Sequence, residues 1–257
     1  MSHLFRLFNT GYNNCYYNMG LDEALLESTA KGELPVLRFY GWKPAAVSVG
    51  YFQGLREEVD VQACRRFGFD VVRRISGGGA VFHKSELTYS IVIPLTHPLA
   101  DADLNNSYRT LCAGLIEGLA LAGVHAEFSG INDIVVKSAG KTRKISGNAQ
   151  TRRKGCVLQH GTVLLDNDIE TMFNVLKIPA EKIKGTLMRE AKERVTNLRD
   201  LLKQPPSFDE ARRLFEEGFK KALDLEYRAV SPNNEESARA LLLAQEKFST
   251  AEWIYKR

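Results

Sequence analysis

Hydrophobic and polar positions repeat with two different periods along this chain, and the change of period divides it. In its first two-thirds much of the pattern has period two or runs apolar without a break. Residues 35–40 and 46–52 are apolar runs around the turn Gly41-Trp42-Lys43-Pro44, and residues 87–93 set Thr88, Ser90 and Val92 against Tyr89, Ile91 and Ile93. These predict strands. Short strands are also predicted at 71–74 and 80–82, at 134–136 and 143–145 as a hairpin around Lys137-Ser138-Ala139-Gly140-Lys141, and at 156–165. Helical spacing interrupts them at four places. Asn18 caps a helix carrying Leu21, Ala24, Leu25 and Ser28 as far as Gly32, and further helices are predicted at 59–67, 104–122 and 169–176. Beyond Gln204-Pro205-Pro206 only helical spacing remains. Ser207-Phe208-Asp209-Glu210 opens a helix through Leu223 as a capping box, and residues 235–248 form a last helix with Ala238, Leu241 and Leu242 on its apolar side.

Strands early, with helices around and after them, predict an α+β fold: a mixed or antiparallel sheet covered by helices. The chain has 257 residues, 44% hydrophobic and 26% charged. That is enough for a sizeable core at the upper edge of one domain, with a core at 1–204 and a helical C-terminal segment at 205–257. The formal net charge of +4 permits acidic partners without demanding nucleic acid, for which there is no recognition motif. No apolar run approaches the roughly 20 residues of a membrane span, and residues 1–10 lack the secretory pattern, so a cytoplasmic protein without membrane association is expected. Cys15, Cys64, Cys112 and Cys156 show no C-x-x-C spacing, which points to neither a zinc site nor a disulfide framework. Cys156, on an apolar strand, reads as a small core residue.

Two glycine-bearing stretches carry the candidate chemistry. In Arg73-Arg74-Ile75-Ser76-Gly77-Gly78-Gly79-Ala80-Val81-Phe82-His83, three successive glycines between strands remove every Cβ from the turn, so a ligand can lie on backbone N–H groups. Arg73 and Arg74 point to opposite faces of their strand, so one enters the site and the other is a surface charge. In Gly140-Lys141-Thr142-Arg143-Lys144-Ile145-Ser146-Gly147-Asn148-Ala149, the hairpin carries Lys144 back beside Asp133. Read together, they suit a small acid activated by a nucleotide.

In these stretches the chain resembles the lipoate–protein ligases and their octanoyltransferase relatives, which share a catalytic domain with biotin–protein ligases. The likeness also runs through Asn18-Met19-Gly20-Leu21-Asp22-Glu23-Ala24, Asn132-Asp133-Ile134-Val135-Val136, His160-Gly161-Thr162, Arg194-Val195-Thr196-Asn197-Leu198 and Glu252-Trp253. It implies the biotin/lipoate-ligase catalytic fold, which is like that of class II aminoacyl-tRNA synthetases. It also implies activation of lipoate or octanoate by ATP and Mg²⁺ to an acyl-AMP, then transfer to a lysine of an acceptor such as a 2-oxoacid dehydrogenase E2 domain or a glycine cleavage H-type protein. ATP-independent octanoyl or lipoyl transfer between carrier proteins is the alternative, and a non-catalytic lipoyl-adenylate binder a third.

Residue by residue, the resemblance makes Lys144 the catalytic cation that bridges carboxylate and phosphate. Arg74, Asn132 and the backbone of Gly79, Ala80, Val81 and Phe82 would contact the nucleotide, Gly77 and Gly78 would wall the acyl tunnel with His160 lining it, and Asp133 would hold Mg²⁺. On their own terms Lys144 is a solvated strand lysine, Asp133 part of an Asn-Asp turn and Phe82 plain core. His83 and His160 lack Cys-His or Ser-His-Asp logic and read as structural or site-lining. The basic stretch Lys137, Lys141, Arg143, Lys144, Arg152, Arg153 and Lys154 would steer ATP and an acidic acceptor, and residues 182–194 would close over the adenylate.

The chain departs from the ligase pattern at Lys84, where Asp is usual, and Glu86-Leu87-Thr88-Tyr89-Ser90 looks more like the octanoyltransferase branch. Yet neither position of the transferases' cysteine nucleophile, near Gly130-Ile131 or near Ile178-Pro179, holds a cysteine. Many family ligases carry a small additional C-terminal domain. This sequence has none after Glu252-Trp253, so a separate small accessory subunit is expected.

Overall fold

The alternating segments pair into one large sheet. The computed structural model describes residues 2–138, 140–166, 168–177 and 193–257. Within them the strands are β1 (His3–Asn13), β2 (Val36–Trp42), β3 (Ala46–Val49), β4 (Asp70–Arg73), β5 (Val81–His83), β6 (Glu86–Pro94), β7 (Ala126–Ser129), β8 (Asp133–Ser138), β9 (Lys141–Arg153), β10 (Cys156–Leu164) and β11 (Leu225–Ala229). The large sheet has the order β11-β1-β2-β6-β10-β9-β8-β7, and β4-β3-β5 form a small second sheet. The mixed α+β architecture is as expected. The pair predicted around Gly41–Pro44 is split, however, with β2 in the large sheet and β3 in the small one.

Helices cover both faces of the large sheet. On one face Leu37, Phe39, Ile91, Ile134 and Val157 pack against α4 (Leu104–Leu121) and α7 (Phe208–Leu223) through Leu111, Leu115, Phe215 and Phe219. On the other, Val36, Tyr40, Val92 and Leu158 meet α1 (Cys15–Ala30) and α8 (Asn234–Leu243) through Met19, Leu25, Ala240 and Leu243. The small sheet has a core of its own with the short helices α2 (Leu55–Glu58), α3 (Val61–Phe67) and α5 (Ile169–Val175). Two further short helices are α6 (Leu198–Leu201) and α9 (Ala251–Ile254). Among the described residues no helix is long and apolar enough to cross a membrane.

Several expectations need correction. The cap of α1 is Asn14, whose side chain accepts from the Tyr17 N–H at 2.9 Å; Asn18 lies inside the helix, fully buried. The last helix turns its other side inward: Ala240 and Leu243 are buried while Ala238, Leu241 and Leu242 are exposed, and Ala244–Phe248 continue it as a wide π turn. The strand predicted at 143–145 is one part of the thirteen-residue β9. β1, β7 and β11 were not anticipated. In β1 the pattern is interrupted by Arg6, which is buried only because Glu236 on α8 lies 2.7 Å away.

Candidate functional site

A cleft opens between the glycine turn of the small sheet and the α1 face of the large sheet, and a bulge in β9 aims Lys144 into it. Asp133 pairs with Gly147 and Ile134 with Ser146, but Val135 pairs with Lys144, which leaves Ile145 as the extra residue. Strict alternation would place Ile145 on the cleft face and Lys144 on the opposite one. The bulge reverses this: Ile145 enters the core beneath α4, and Lys144 shares the cleft face with Asp133 and Gly147. Its Nζ lies 2.6 Å from Asp133 Oδ1. Gly147 leaves the room the side chain needs, because a Cβ there would sit 2.8 Å from Lys144 Cε and Nζ.

The Lys144 backbone is held from both sides. Beyond its pairing with β8, its N–H donates to the Arg194 carbonyl at 2.7 Å, and its carbonyl accepts from the Thr196 N–H at 2.9 Å. This gives the Arg194-Val195-Thr196 segment a job that its sequence does not disclose. Residues 178–192 lie outside the described residues, and with them most of the closing loop expected at 182–194 and the Ile178-Pro179 position.

Across the cleft, Arg74 fixes the glycine turn. It donates to the carbonyls of Ser48, Gly77 and Gly79 at 3.0, 2.8 and 3.0 Å and to Ser48 Oγ at 2.8 Å. Burial pushes its guanidinium down to about 10, still charged at neutral pH. Gly78 has φ +89°, a conformation that favours glycine. Arg73 is not a surface charge: it is fully buried and donates to the carbonyls of Gly50, Gln53 and Ile254, tying the Glu252-Trp253 end of the chain to the small sheet.

Behind the cleft lies a buried polar network. Asp22 Oδ1 pairs with Arg38 at 2.8 Å, and Oδ2 accepts from Tyr40 at 3.1 Å and from His160 Nδ1 at 2.9 Å, while His160 Nε2 meets Ser76 Oγ at 2.6 Å. Burial alone would raise the Asp22 carboxyl, but the His160 hydrogen bond and the Arg38 charge outweigh it and hold the group below its usual range. A second string joins Ser48 Oγ to His83 Nε2 at 2.8 Å and His83 Nδ1 to Glu86 at 2.7 Å. Burial lowers the His83 pKa despite Glu86, and Trp42 stacks on the ring at 3.8 Å. Each histidine thus stands between a serine and a carboxylate, but both serines are fully buried, so neither string presents a nucleophile, and both histidines line the cleft. The members lie up to 138 positions apart; the available signal was Asn18 and Asp22, two polar residues four apart on the helix face that also carries Cys15 and Leu25.

Arg74, Gly78, Gly79, Ala80, Val81, Asn132, Lys144 and His160 line the cleft together with His83. Gly77 reaches it only through the carbonyl held by Arg74, and the Phe82 side chain turns into the small-sheet core beside Phe69. Met19, Trp42 and Thr162 were not anticipated. The basic stretch is partly neutralised, with Lys137, Lys141 and Lys154 paired to Glu127, Glu193 and Glu27. All four cysteines are buried and none lines the cleft. Burial pushes the Cys64 thiol up to about 11 and that of Cys112 to about 12, and raises Cys15 and Cys156 as well.

The chain as a whole is similar to known proteins. The family model described as the lipoyl protein ligase A/B catalytic domain matches residues 14–220. Octanoyltransferase LipM of Geobacillus kaustophilus is 35% identical over 99% of this chain and 99% of its own length. That of Bacillus subtilis is 34% identical over 98% of each. A bi-partite lipoate protein ligase of Thermoplasma acidophilum superposes with a TM-score of 0.88 at 32% identity, over 98% of this chain and 96% of that one. A lipoate-protein ligase A bound with ATP gives 0.82 at 31% over 99% of each. With a family model over most of its length and full-length relatives above 30% identity, the chain belongs to the lipoyl protein ligase A/B catalytic domain family.

Proposed function

We propose that this chain activates lipoate or octanoate with ATP as an acyl adenylate and transfers the acyl group to a lysine of an acceptor lipoyl domain. The observation that carries this reading is the placement of the cysteines. Acyl transfer through an enzyme thioester needs a reachable thiolate. Here every thiol is buried with a raised pKa, and Ser48 and Ser76 are fully buried too. The cleft offers cations and backbone donors instead, as charge on a carboxylate and a phosphate demands.

In this reaction Arg74 and Lys144 offset the repulsion between the carboxylate and the α-phosphate, and the ammonium's three donors can serve both groups. The turn from Gly78 to Val81 lies against the nucleotide, where a main chain without bulky side chains permits close approach. Adenylation releases pyrophosphate. The acceptor lysine, as a neutral amine, then attacks the acyl carbonyl; the amide bond forms as the bond to AMP breaks, the amine's proton passes to solvent, and Lys144 stays near the departing phosphate. Among the described residues no group of three or more metal-ligating side chains occurs. Asp133 would be the carboxylate that holds Mg²⁺ there, and the ion would supply charge neutralisation.

A second reading, octanoyl transfer from a carrier protein without ATP, is favoured by the names of the curated LipM relatives and by Glu86-Leu87-Thr88-Tyr89-Ser90. ATP–pyrophosphate exchange with lipoate and with octanoate separates the two, since adenylation gives exchange and thioester transfer does not. Alanine at each cysteine in turn should leave transfer within a few-fold of wild type. An acyl thioester trapped on any of them, with activity lost in the matching variant, would hand the assignment to the second reading. Because the Thermoplasma ligase is bi-partite, a second polypeptide is expected to assist adenylation, whereas synthetic lipoyl-AMP should suffice for transfer by this chain alone.

A further inference from the structure

Arg74 sits where two hydrogen-bonded strings of like construction meet. One runs from Arg74 Nε to Ser76 Oγ at 3.4 Å, then through His160 to Asp22. The other runs from Arg74 Nη1 to Ser48 Oγ at 2.8 Å, then through His83 to Glu86. Every side chain in both strings is buried. A carboxylate only accepts hydrogen bonds, so each imidazole carries a proton on Nδ1, and the arrangement that matches the serine contact is the Nδ1–H tautomer. Nε2 is then the acceptor, each serine O–H donates to it, and each serine oxygen faces Arg74 with lone pairs alone. The guanidinium's other partners are the carbonyls of Ser48, Gly77 and Gly79. Among the described residues it is thus held by neutral oxygens and forms no ion pair.

We propose that Asp22 and Glu86 are positioning residues of the anion site, each fixing a histidine tautomer that points a serine oxygen at Arg74, so that the guanidinium is oriented without being neutralised. A carboxylate placed directly on Arg74 would orient it equally well but would cancel the charge that a ligand anion needs. Setting the carboxylates behind a histidine and a serine transmits direction without charge. Asp22 is further balanced by Arg38, and the second Glu86 oxygen accepts the Lys84 N–H at 2.7 Å. The proposal rests on reading the cleft as an acyl and acyl-adenylate site, and it adds a requirement that depends on ligand charge.

Glu86→Gln tests it with little change in volume. Both Glu86 oxygens accept, from His83 Nδ1 and from Lys84 N–H; the backbone N–H cannot change its role, so an amide keeps its oxygen there, turns its NH₂ toward the imidazole and releases the tautomer. Asp22→Asn does the same at His160, and Glu86→Gln carries the test if the Asp22 variant does not fold. Wild type and variants are titrated calorimetrically with octanoate and with octanamide, and the imidazole tautomers are read by ¹⁵N NMR. The expected result is an Nδ1–H ring at His83 in wild type and a mixture in Glu86→Gln. All five Arg74 N–H groups are taken by protein oxygens, so the ligand anion feels the arginine through its charge; octanoate affinity should fall roughly tenfold as that charge is misplaced, with octanamide affinity nearly unchanged. Equal losses for both ligands, or unchanged octanoate affinity once the tautomer has shifted, would overturn the proposal. Were wild type to bind neither ligand, the acyl-site reading would fall, and an Nε2–H ring at His83 in wild type would separately sink the positioning claim.

Discussion

Gly147→Ala probes the site with a single methyl group. A Cβ at this position would lie 2.8 Å from both Cε and Nζ of Lys144. Carbon contacts settle near 3.5 Å, so the end of the lysine must retreat by about 0.7 Å (3.5 − 2.8) or swing away. The obstacle is the tip of a flexible side chain, and Gly147 has no positive φ, so the fold accepts alanine. Replacing glycine inside a strand even recovers about 0.5 kcal/mol or more of chain entropy. Stability should therefore stay within about 1 kcal/mol of wild type. Displacing a reacting group by about 1 Å can cost ~10²-fold in rate, so transfer from lipoyl-AMP is expected to slow by about 10- to 10²-fold, or about 1.4–2.7 kcal/mol of barrier. Single-turnover modification of an acceptor lysine, followed by mass spectrometry, measures the rate, and urea unfolding measures stability. A wild-type rate in folded Gly147→Ala would mean that the position of Lys144 does not matter, and the catalytic assignment would fall with it.

Lys144→Ala should lower transfer by ~10²–10³, the usual loss when a fixed charge donor is removed from a developing anion; calorimetric unfolding should shift by under about 1 kcal/mol, because the pair with Asp133 is 41% and 35% exposed. Gly78→Val combines strain at φ +89° with a Cβ aimed at Arg74 Nη2 (3.4 Å) and Ala149 (3.6 Å); lipoate affinity by titration should drop more than tenfold against about 1–3 kcal/mol of stability, and unchanged affinity would make the turn purely structural. Burial lowers the His83 pKa below its usual 6.5, so its stabilising contribution is present above that value and lost as pH falls toward the lower folded pKa. Thermal midpoints should decline from pH 7.5 to 5.5, and less steeply in His83→Gln; an equal slope would place the titration elsewhere.

Local pattern exposed the strands that alternate cleanly and the helices with good caps, among them the Ser207–Glu210 capping box that the fold forms as expected. It concealed β1, because Arg6 breaks the apolar run and becomes tolerable only when α8 brings Glu236 to it. The last helix was read facing the wrong way, since its composition does not reveal that Ala240, rather than the larger Leu241 and Leu242, meets α1. The glycine turn and Lys144 were legible as motifs. The bulge that aims Lys144 was not, because it arises from pairing with β8 and depends on no residue type within β9. The histidine strings escaped notice for a similar reason: each joins residues from separate strands and helices, and nothing local marks Ser48 or Ser76 as partners.

The cleft's two cations differ in how firmly they are held. Arg74 is buried and gripped by oxygens from Ser48, Ser76, Gly77 and Gly79, so it cannot follow a moving charge. Lys144 stands partly in solvent on a flexible stem, and its pairing with Asp133 is exposed enough to be worth no more than about 1 kcal/mol. A phosphate or carboxylate entering the cleft can exchange for Asp133 at that small cost. In the proposed reaction the negative charge shifts from a free carboxylate to a phosphate bridge and then to departing AMP. A fixed cation suits the part of the ligand that stays in place, and a mobile one suits the atoms where charge is redistributed. This division of roles requires the lysine to be weakly paired at rest and the arginine to have no carboxylate beside it, which is how the two are found.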